Sequence, residues 1–301
     1  MTIIMRLIEL IIIYGLLLFT GLGGQAQEPQ GQWDYVLDDG AYEFLGFPVE
    51  LPRPVHVSLI DGGIHGALVR AIIQRSIPNA VITLIDIDDA LTECERFENP
   101  YLRTFCGHSV ITGAMQQAVQ SGAEVVNLSL GFLTPNGIAP FLAPMMCQEF
   151  PSSVFYTAAK VIEEASYVMW VAAAGNGYAT GKVAFPACYG KVFAAGALQR
   201  LSTYSEQTLS LAGYSNIAEG VFAIPIGGVL IDPYGITYEG TSFSTPLLTA
   251  LVAVGVSYGC SQQAIYKALA SAHIIINARG VLAPVSRVSD VIACVFVGES
   301  E

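Results

Sequence analysis

Short apolar runs alternate with amphipathic stretches along the chain from residue 55 onward. The runs are apolar at nearly every position and rich in β-branched residues, which predicts strands buried on both faces. These strands are predicted at 55–61, 80–87, 124–131, 168–176, 191–198 and 220–227. Apolar residues at helical spacing predict helices at 65–77, 109–122 and 154–167, and a further helix that opens at Pro246. The alternation predicts an α/β fold of three layers, with helices on both faces of a mostly parallel central sheet.

The first 26 residues have the pattern of a secretory signal. Arg6 precedes an uninterrupted apolar run at 10–19, and small residues end at Ala26. An uncleaved membrane anchor is the alternative, but it would need about 20 apolar residues. We therefore expect export, to a periplasm or to the medium. Residues 27–54, rich in Gln, Gly and Pro, predict a surface arm, and residues 55–301 predict one folded domain.

Composition narrows the class of protein further. The chain of 301 residues is 53% hydrophobic and 13% charged, which indicates a globular protein with a large core. Its formal net charge is −12, and no basic stripe is present. Because phosphate binding requires such a stripe, nucleic acid is excluded as an expected partner.

The cysteine count favours disulfides. The six cysteines contain no C-x-x-C pair, so neither a zinc site nor thiol redox chemistry is indicated. In an exported chain an even number of cysteines is typical of disulfides. Six cysteines allow 15 connectivities, among which the sequence does not choose. Pairing of Cys94 with Cys106 and of Cys260 with Cys294 are two hypotheses among them.

Reactive side chains follow the predicted strands. Asp61 ends one strand (SLIDGG), Asn176 follows another (AAAGNG), and Ser242 precedes the helix that opens at Pro246. His108 is expected to begin a helix after a loop, FCGH. The carboxyl ends of parallel strands share one edge of a sheet. A serine hydroxyl becomes a nucleophile when an imidazole removes its proton and a carboxylate orients that imidazole, so these residue types together indicate nucleophilic catalysis.

The chain order Asp, His, Ser is that of subtilisin, and it differs from the orders of chymotrypsin-like enzymes and α/β-hydrolases. The motifs VSLIDGG, GHSVITGAM, VNLSLG, AAAGN and GTSFSTP carry a resemblance to the subtilases, the subtilisin-like serine peptidases, over about residues 55–260. The combination of GTSFSTP with AAAGN is the specific part of this match. The resemblance implies a subtilisin-like fold and makes 55–301 the peptidase domain.

By this resemblance Asp61 would orient the base, His108 would be general base and then acid, and Ser242 would attack the scissile carbonyl. The side-chain amide of Asn176 and the backbone N–H of Ser242 would form the oxyanion hole. The substrate would be a protein or peptide that lies extended along a strand edge. The resemblance implies substrate contacts at Ser129, Leu130, Gly131, Phe132 and Gly175. Phe132 departs from the family, in which a small residue is usual.

No metal or cofactor is expected in the chemistry. Asp86, Asp88 and Asp89 could hold a structural calcium ion, as subtilases often do, but they lack a regularly spaced ligand loop containing glycine. A solvated acidic face is the interpretation we prefer for them.

Two features keep other functions open. Ser109 and Val110 follow His108 where the family usually has Gly-Thr, which favours a catalytically silent, peptide-binding relative as the alternative. The short segment before Asp61 leaves no room for a long pro-region, so a separate inhibitor or chaperone is a further expectation. An esterase is disfavoured because no G-x-S-x-G elbow surrounds Ser242.

Overall fold

A computed structural model describes residues 33–130 and 154–296 of the chain. Its strands are β1 (Asp34–Leu37), β2 (His56–Asp61), β3 (Val81–Asp86), β4 (Val125–Leu128), β5 (Met169–Ala173), β6 (Val192–Ala197), β7 (Val221–Ile224), β8 (Gly228–Ile231), β9 (Thr237–Tyr238), β10 (Ile274–Ala278) and β11 (Val281–Val285). Its helices are α1 (Asp39–Leu45), α2 (Gly63–Ser76), α3 (Asp88–Glu95), α4 (Pro100–Gln120), α5 (Val154–Glu164), α6 (Thr245–Ser257), α7 (Gln262–Ala270) and α8 (Val288–Ile292). Single turns of 3-10 helix span Thr241–Phe243 and Ala293–Val295.

The centre of the fold is a six-stranded sheet in the order β3-β2-β4-β5-β6-β7. All of its neighbouring strands are parallel. Each of the apolar runs from which strands were predicted forms one of these strands. The three-layer α/β fold with a mostly parallel sheet is therefore confirmed.

Residues of the central strands alternate between two cores, one on each face of the sheet. In β2, Leu59 packs into the core that contains α2 and α6, and Ile60 packs into the core beneath α4 and α5. Successive side chains of a strand point to opposite faces, so a strand that is apolar throughout supplies both cores. Every residue of α6 is buried. This central helix follows Ser242 directly, so the serine is attached to the most deeply buried helix of the fold.

Residues 33–54, expected as a surface arm, contain structure that packs against the rest of the chain. β1 pairs with β8 in a small antiparallel sheet, and β9 pairs with the other edge of β8. In α1, Tyr42 and Leu45 are buried in the core that contains α2 and α6. This small sheet leads through β9 into the turn that carries Ser242.

The helix that carries His108 begins earlier than the sequence predicted. The expected loop FCGH lies inside α4, which begins at Pro100, so the prediction that His108 opens a helix was wrong. The side chain of Asn99 accepts a hydrogen bond from the Leu102 N–H at 3.4 Å. Asparagine before the first helical turn and proline within it are typical start signals, and here they extend the helix by two turns.

Two disulfides are present among the described residues. Cys94 of α3 pairs with Cys106 of α4, and Cys260 pairs with Cys294 near the C-terminus. Both hypothetical pairings are thus present, and none of the cysteines in the described ranges is free. These disulfides are compatible with an oxidising compartment. Within the described residues no helix combines the length and the apolar character that a membrane span requires.

Candidate active site

The turn at Ser242 is shaped by the glycine that precedes it. Ser242 lies in the 3-10 helix Thr241–Phe243, and α6 begins at Thr245 with Pro246 in its first turn. A side chain at Gly240 would start 3.0 Å from Nδ2 of Asn176 and 3.2 Å from Oγ of Ser242. Glycine is favoured there because these two polar atoms approach the same point of the backbone. The structure therefore brings Asn176 and Ser242 together.

Thr241 fixes the orientation of the Asn176 amide. The backbone N–H of Thr241 donates to Oδ1 of Asn176 at 2.9 Å, and the Thr241 hydroxyl donates to the same oxygen at 3.0 Å. Since a backbone N–H can only donate, the oxygen of the amide must face Thr241. The Nδ2 group is then left on the side of Ser242, where it can donate to an incoming oxygen.

The loop after β5 depends on a glycine and on a second asparagine. Gly175 has φ +99°, and a side chain there would start 2.6 Å from Nδ2 of Asn216. The Asn216 side chain accepts hydrogen bonds from the N–H groups of Gly177 (3.0 Å) and Ala179 (2.8 Å) and donates to the carbonyl of Ala174. Sequence reasoning missed Thr241 and Asn216, since both act on residues far away in the chain. Together they hold Asn176 in place.

Asp61 lies at the carboxyl end of β2, with only 5% of its surface exposed. Its Oδ1 accepts a hydrogen bond from the Gly62 N–H at 2.8 Å. Nδ1 of His65 lies 2.8 Å from Oδ1 and 3.0 Å from Oδ2. An ionised carboxylate only accepts hydrogen bonds, so Nδ1 is the protonated ring nitrogen of His65. The hydrogen bonds that the structure describes for this carboxylate come from Gly62 and His65.

His65 was not singled out from the sequence. It lies in the first turn of α2, which begins at Gly63, two residues before the sequence indicated. The ring of His65 packs against that of Phe243, with the ring centroids 5.0 Å apart. Phe243 directly follows Ser242, so His65 contacts both Asp61 and the turn that carries Ser242. The signal that could have identified it is its position four residues after Asp61 at the start of a helix.

His108 lies on α4 and is 4% exposed. The neighbouring turns of the same helix place Ile111 and Met115 in the core beneath α4 and α5. The helix packs against β2 and β3, the strands that end at Asp61 and Asp86. The pairing of His108 with Asp61 stays a prediction.

The strand predicted to bind substrate is described as far as Leu130. The Ser129 hydroxyl donates to Oδ1 of Asn127 at 2.9 Å, and Nδ2 of Asn127 donates to the Thr249 hydroxyl at 2.8 Å. These buried bonds tie the end of β4 to α6. Leu130 packs on the core beneath α4 and α5. Of the other predicted substrate contacts, Gly131 and Phe132 lie outside the described residues.

The acidic residues considered for calcium are involved in the start of α3. Asp88 and Asp89 lie in its first turn, and the Asp86 carboxylate accepts the Asp88 N–H at 3.0 Å. Among the described residues no group of three or more His, Cys, Asp or Glu side chains forms a metal-binding arrangement.

An open cleft of about 520 Å³ lies at the start of α1 and is lined in part by Glu239. Asp38, which also lines this cleft, accepts a hydrogen bond from the Tyr204 hydroxyl at 3.3 Å and lies 3.5 Å from Arg200. Glu239 also affects Tyr214. Burial, and to a smaller extent the charge of Glu239, raises the pKa of Tyr214 well above its ordinary value, so this phenol stays neutral. The Asp38 carboxylate takes part in contacts of the fold, and we assign the cleft no role.

A six-stranded parallel sheet with a serine turn ahead of a buried central helix defines a subtilisin-like protease fold. The chain belongs to the subtilase family, whose sequence model matches residues 99–279 of the 301. A search of curated proteins found no match to the chain.

Solved structures of subtilisin-like proteases are similar to the chain in fold. The prenylagaramide maturation protease PagA is 21% identical, with a TM-score of 0.55 and coverage of 85% of this chain and 98% of that one. The patellamide maturation protease PatA is 20% identical, with a TM-score of 0.57 and coverage of 83% and 100%. A cold-adapted subtilisin-like serine proteinase is 18% identical, with a TM-score of 0.55 and coverage of 78% and 89%.

Proposed function

We propose that the protein is an exported serine endopeptidase that hydrolyses peptide bonds through an acyl-enzyme intermediate on Ser242. The observation that carries this proposal is the Thr241 bridge, which directs the Asn176 amide N–H toward the side of Ser242. A donor aimed at a developing oxyanion beside a serine is the arrangement that acyl transfer requires. The apolar N-terminal segment and the disulfides support export.

In this mechanism the Ser242 hydroxyl attacks the carbonyl carbon of the scissile bond while His108 removes its proton. Negative charge develops on the carbonyl oxygen, which accepts hydrogen bonds from Asn176 and from the Ser242 backbone N–H. The protonated imidazole then gives its proton to the leaving amine, and Asp61 stabilises the imidazolium. Water, activated by the same imidazole, hydrolyses the acyl-enzyme and restores the Ser242 hydroxyl.

The alternative is a catalytically silent subtilase that binds peptides. The residues after His108, Ser109 and Val110, favour it, because they differ from the usual Gly-Thr. The presence of Asp, His, Asn and Ser at the matching positions favours the enzyme. We therefore retain the endopeptidase as the proposal and test for activity directly.

The test is labelling of the purified chain, without residues 1–26, by a fluorophosphonate probe. We expect wild type to be labelled and Ser242→Ala and His108→Ala to lose labelling while their circular dichroism is unchanged. A well-folded wild type that takes no label would contradict the enzyme and support the silent binding module. Casein and ester substrates tested side by side would separate an endopeptidase from an esterase.

A further inference from the structure

We propose that His65 is a positioning residue, which holds the Asp61 carboxylate in the orientation that the general base needs. This inference rests on the proposed function, since it concerns the acid of the same catalytic site. The reaction requires a carboxylate whose plane and rotamer are fixed before the imidazole of the base is protonated. The surroundings of Asp61 show which groups fix them.

Three of the bonding positions of the Asp61 carboxylate are occupied. The Gly62 N–H contacts Oδ1, and Nδ1 of His65 lies within 3.0 Å of both oxygens. Contact with both oxygens restrains rotation of the carboxylate about its last bond. An ionised carboxylate has about four lone-pair sites, so one acceptor site remains for a further donor. His65 is thus compatible with a separate base and leaves room for it.

His65 is itself held by rigid neighbours. Its ring packs on Phe243, which is 3% exposed and belongs to the core that contains α2 and α6. The next residue of α2, Gly66, allows the helix to approach Asp61: a side chain there would start 3.3 Å from Cβ of Asp61. The imidazole therefore links the acid to the element that carries the nucleophile. Displacement of either element would be transmitted to the other through this ring.

The resemblance assigns the general base to His108, and His65 is a second histidine, which contacts Asp61. A triad base also donates its Nδ1–H to the acid, so kinetics of His65 variants distinguish the positioning role from that of the base. The partly exposed side chain, at 33%, is restrained by the Phe243 ring on one side and by Asp61 on the other.

The experiment compares His65→Ala with His65→Asn in the chain without residues 1–26. The Nδ2 group of asparagine occupies about the place of the imidazole Nδ1, so it can restore the hydrogen bond to Asp61. We expect His65→Ala to lower kcat about tenfold with KM changed less than twofold, and His65→Asn to recover most of the loss. His273→Ala, at an exposed histidine, is the matched control and should match wild type.

Several results would overturn the proposal. Wild-type kcat in His65→Ala would show that Asp61 needs no such support. A rise in kcat would show that His65 competes with the base for Asp61. Loss of labelling as complete as in Ser242→Ala, in both His65 variants, would make His65 the base itself.

A second readout keeps this proposal separate from the proposed function. Nitrogen-15 NMR of the histidine side chains should show His65 with its proton on Nδ1 in wild type, and a changed signal in Asp61→Asn. If wild type is not labelled, the endopeptidase proposal fails, yet this measurement still decides whether His65 holds Asp61. A His65 that carries its proton on Nε2 would overturn the positioning role whatever the activity.

Discussion

Polar side chains form networks at both ends of the central strands, which we call the amino edge and the carboxyl edge of the sheet. The two networks contain similar residue types but differ in what those residues contact. At the amino edge, Arg53 forms a salt bridge with Glu124 at 2.7 Å, and Glu124 also accepts the His56 N–H at 3.1 Å. The His56 ring lies 2.8 Å from the Thr83 hydroxyl. These contacts join the beginnings of β2, β3 and β4. The polar groups named here therefore bond to one another and hold neighbouring strands together.

At the carboxyl edge the polar groups lie close to backbone positions that favour glycine. Gly63 and Gly175 have positive φ angles of +54° and +99°, and a side chain at Gly240 would start 3.0 Å from Nδ2 of Asn176. The Asn176 Nδ2 group is directed to a space beside Ser242. A histidine near a carboxylate occurs at both edges, so such a pair does not by itself identify a site. The carboxyl edge is distinguished by the close approach of chain segments that are distant in sequence. Substitutions there should affect turnover more than stability.

At the carboxyl edge, the largest effect on turnover is expected from Asn176→Ala. Removal of the oxyanion donor should lower kcat by about 10²–10³, a magnitude known from the corresponding asparagine of a subtilisin, with little change in KM. The measurement is steady-state kinetics on a peptide substrate. Asn277→Ala, which removes an amide that accepts the Gly280 N–H in the β10–β11 turn, is the matched control. Full turnover in Asn176→Ala would contradict the oxyanion assignment.

A smaller effect on the same edge is expected from Thr241→Val. The change keeps the shape of the side chain but removes the hydroxyl that donates to Asn176 and accepts the Gly175 N–H at 3.1 Å. We expect kcat to fall about tenfold, because the Asn176 amide loses one of its two restraints. The free energy of unfolding should fall by about 0.5–1.5 kcal/mol, because the partly buried Gly175 N–H loses its partner.

Thr241→Ser is the rescue variant for this prediction, and Thr237→Val, on the exposed strand β9, is the control. Kinetics and urea unfolding of all three variants provide the measurements. Wild-type kcat in Thr241→Val would contradict the role of the hydroxyl bridge, and a loss in Thr241→Ser as large as in Thr241→Val would show that the hydroxyl alone does not restore it.

The sequence was sufficient for most of the framework because its signals are local. Apolar runs locate the six strands of the central sheet, and the proline-led apolar stretch after Ser242 locates the central helix α6. The start of α4 was predicted wrongly: FCGH, expected as a loop, lies inside the helix, whose local start signals are Asn99 and Pro100.

The supporting residues of the site could not be predicted in the same way. Thr241 is 65 positions from Asn176, and Asn216 is 39 from Gly177, so only the folded chain shows these contacts. His65 is close to Asp61 in sequence, but its significance depends on where α2 begins and on the packing of Phe243. Residues four positions apart often meet at the start of a helix, and the tertiary contact of His65 with Phe243 is what distinguishes the Asp61–His65 pair.

The smallest effect is expected at the amino edge, from Glu124→Gln. The hydrogen bond from Arg53 holds the pKa of Glu124 below its ordinary value. A lowered folded-state pKa adds stability above the unfolded pKa, and this stability is lost as the pH falls through the folded pKa. Because both side chains are partly exposed, we expect Glu124→Gln to destabilise the protein at pH 7 by only about 0.2–1 kcal/mol.

That difference from wild type should shrink in urea unfolding as the pH falls through the lowered folded-state pKa of Glu124, because the carboxyl then becomes protonated and carries no charge, as in the variant. Turnover should be unchanged at pH 7. Glu164→Gln, in the exposed pair with Lys160 on α5, is the matched control and should be nearly neutral throughout. A loss of kcat in Glu124→Gln at unchanged stability would break the comparison, since it would show that the amino edge also acts on the chemistry at the opposite edge.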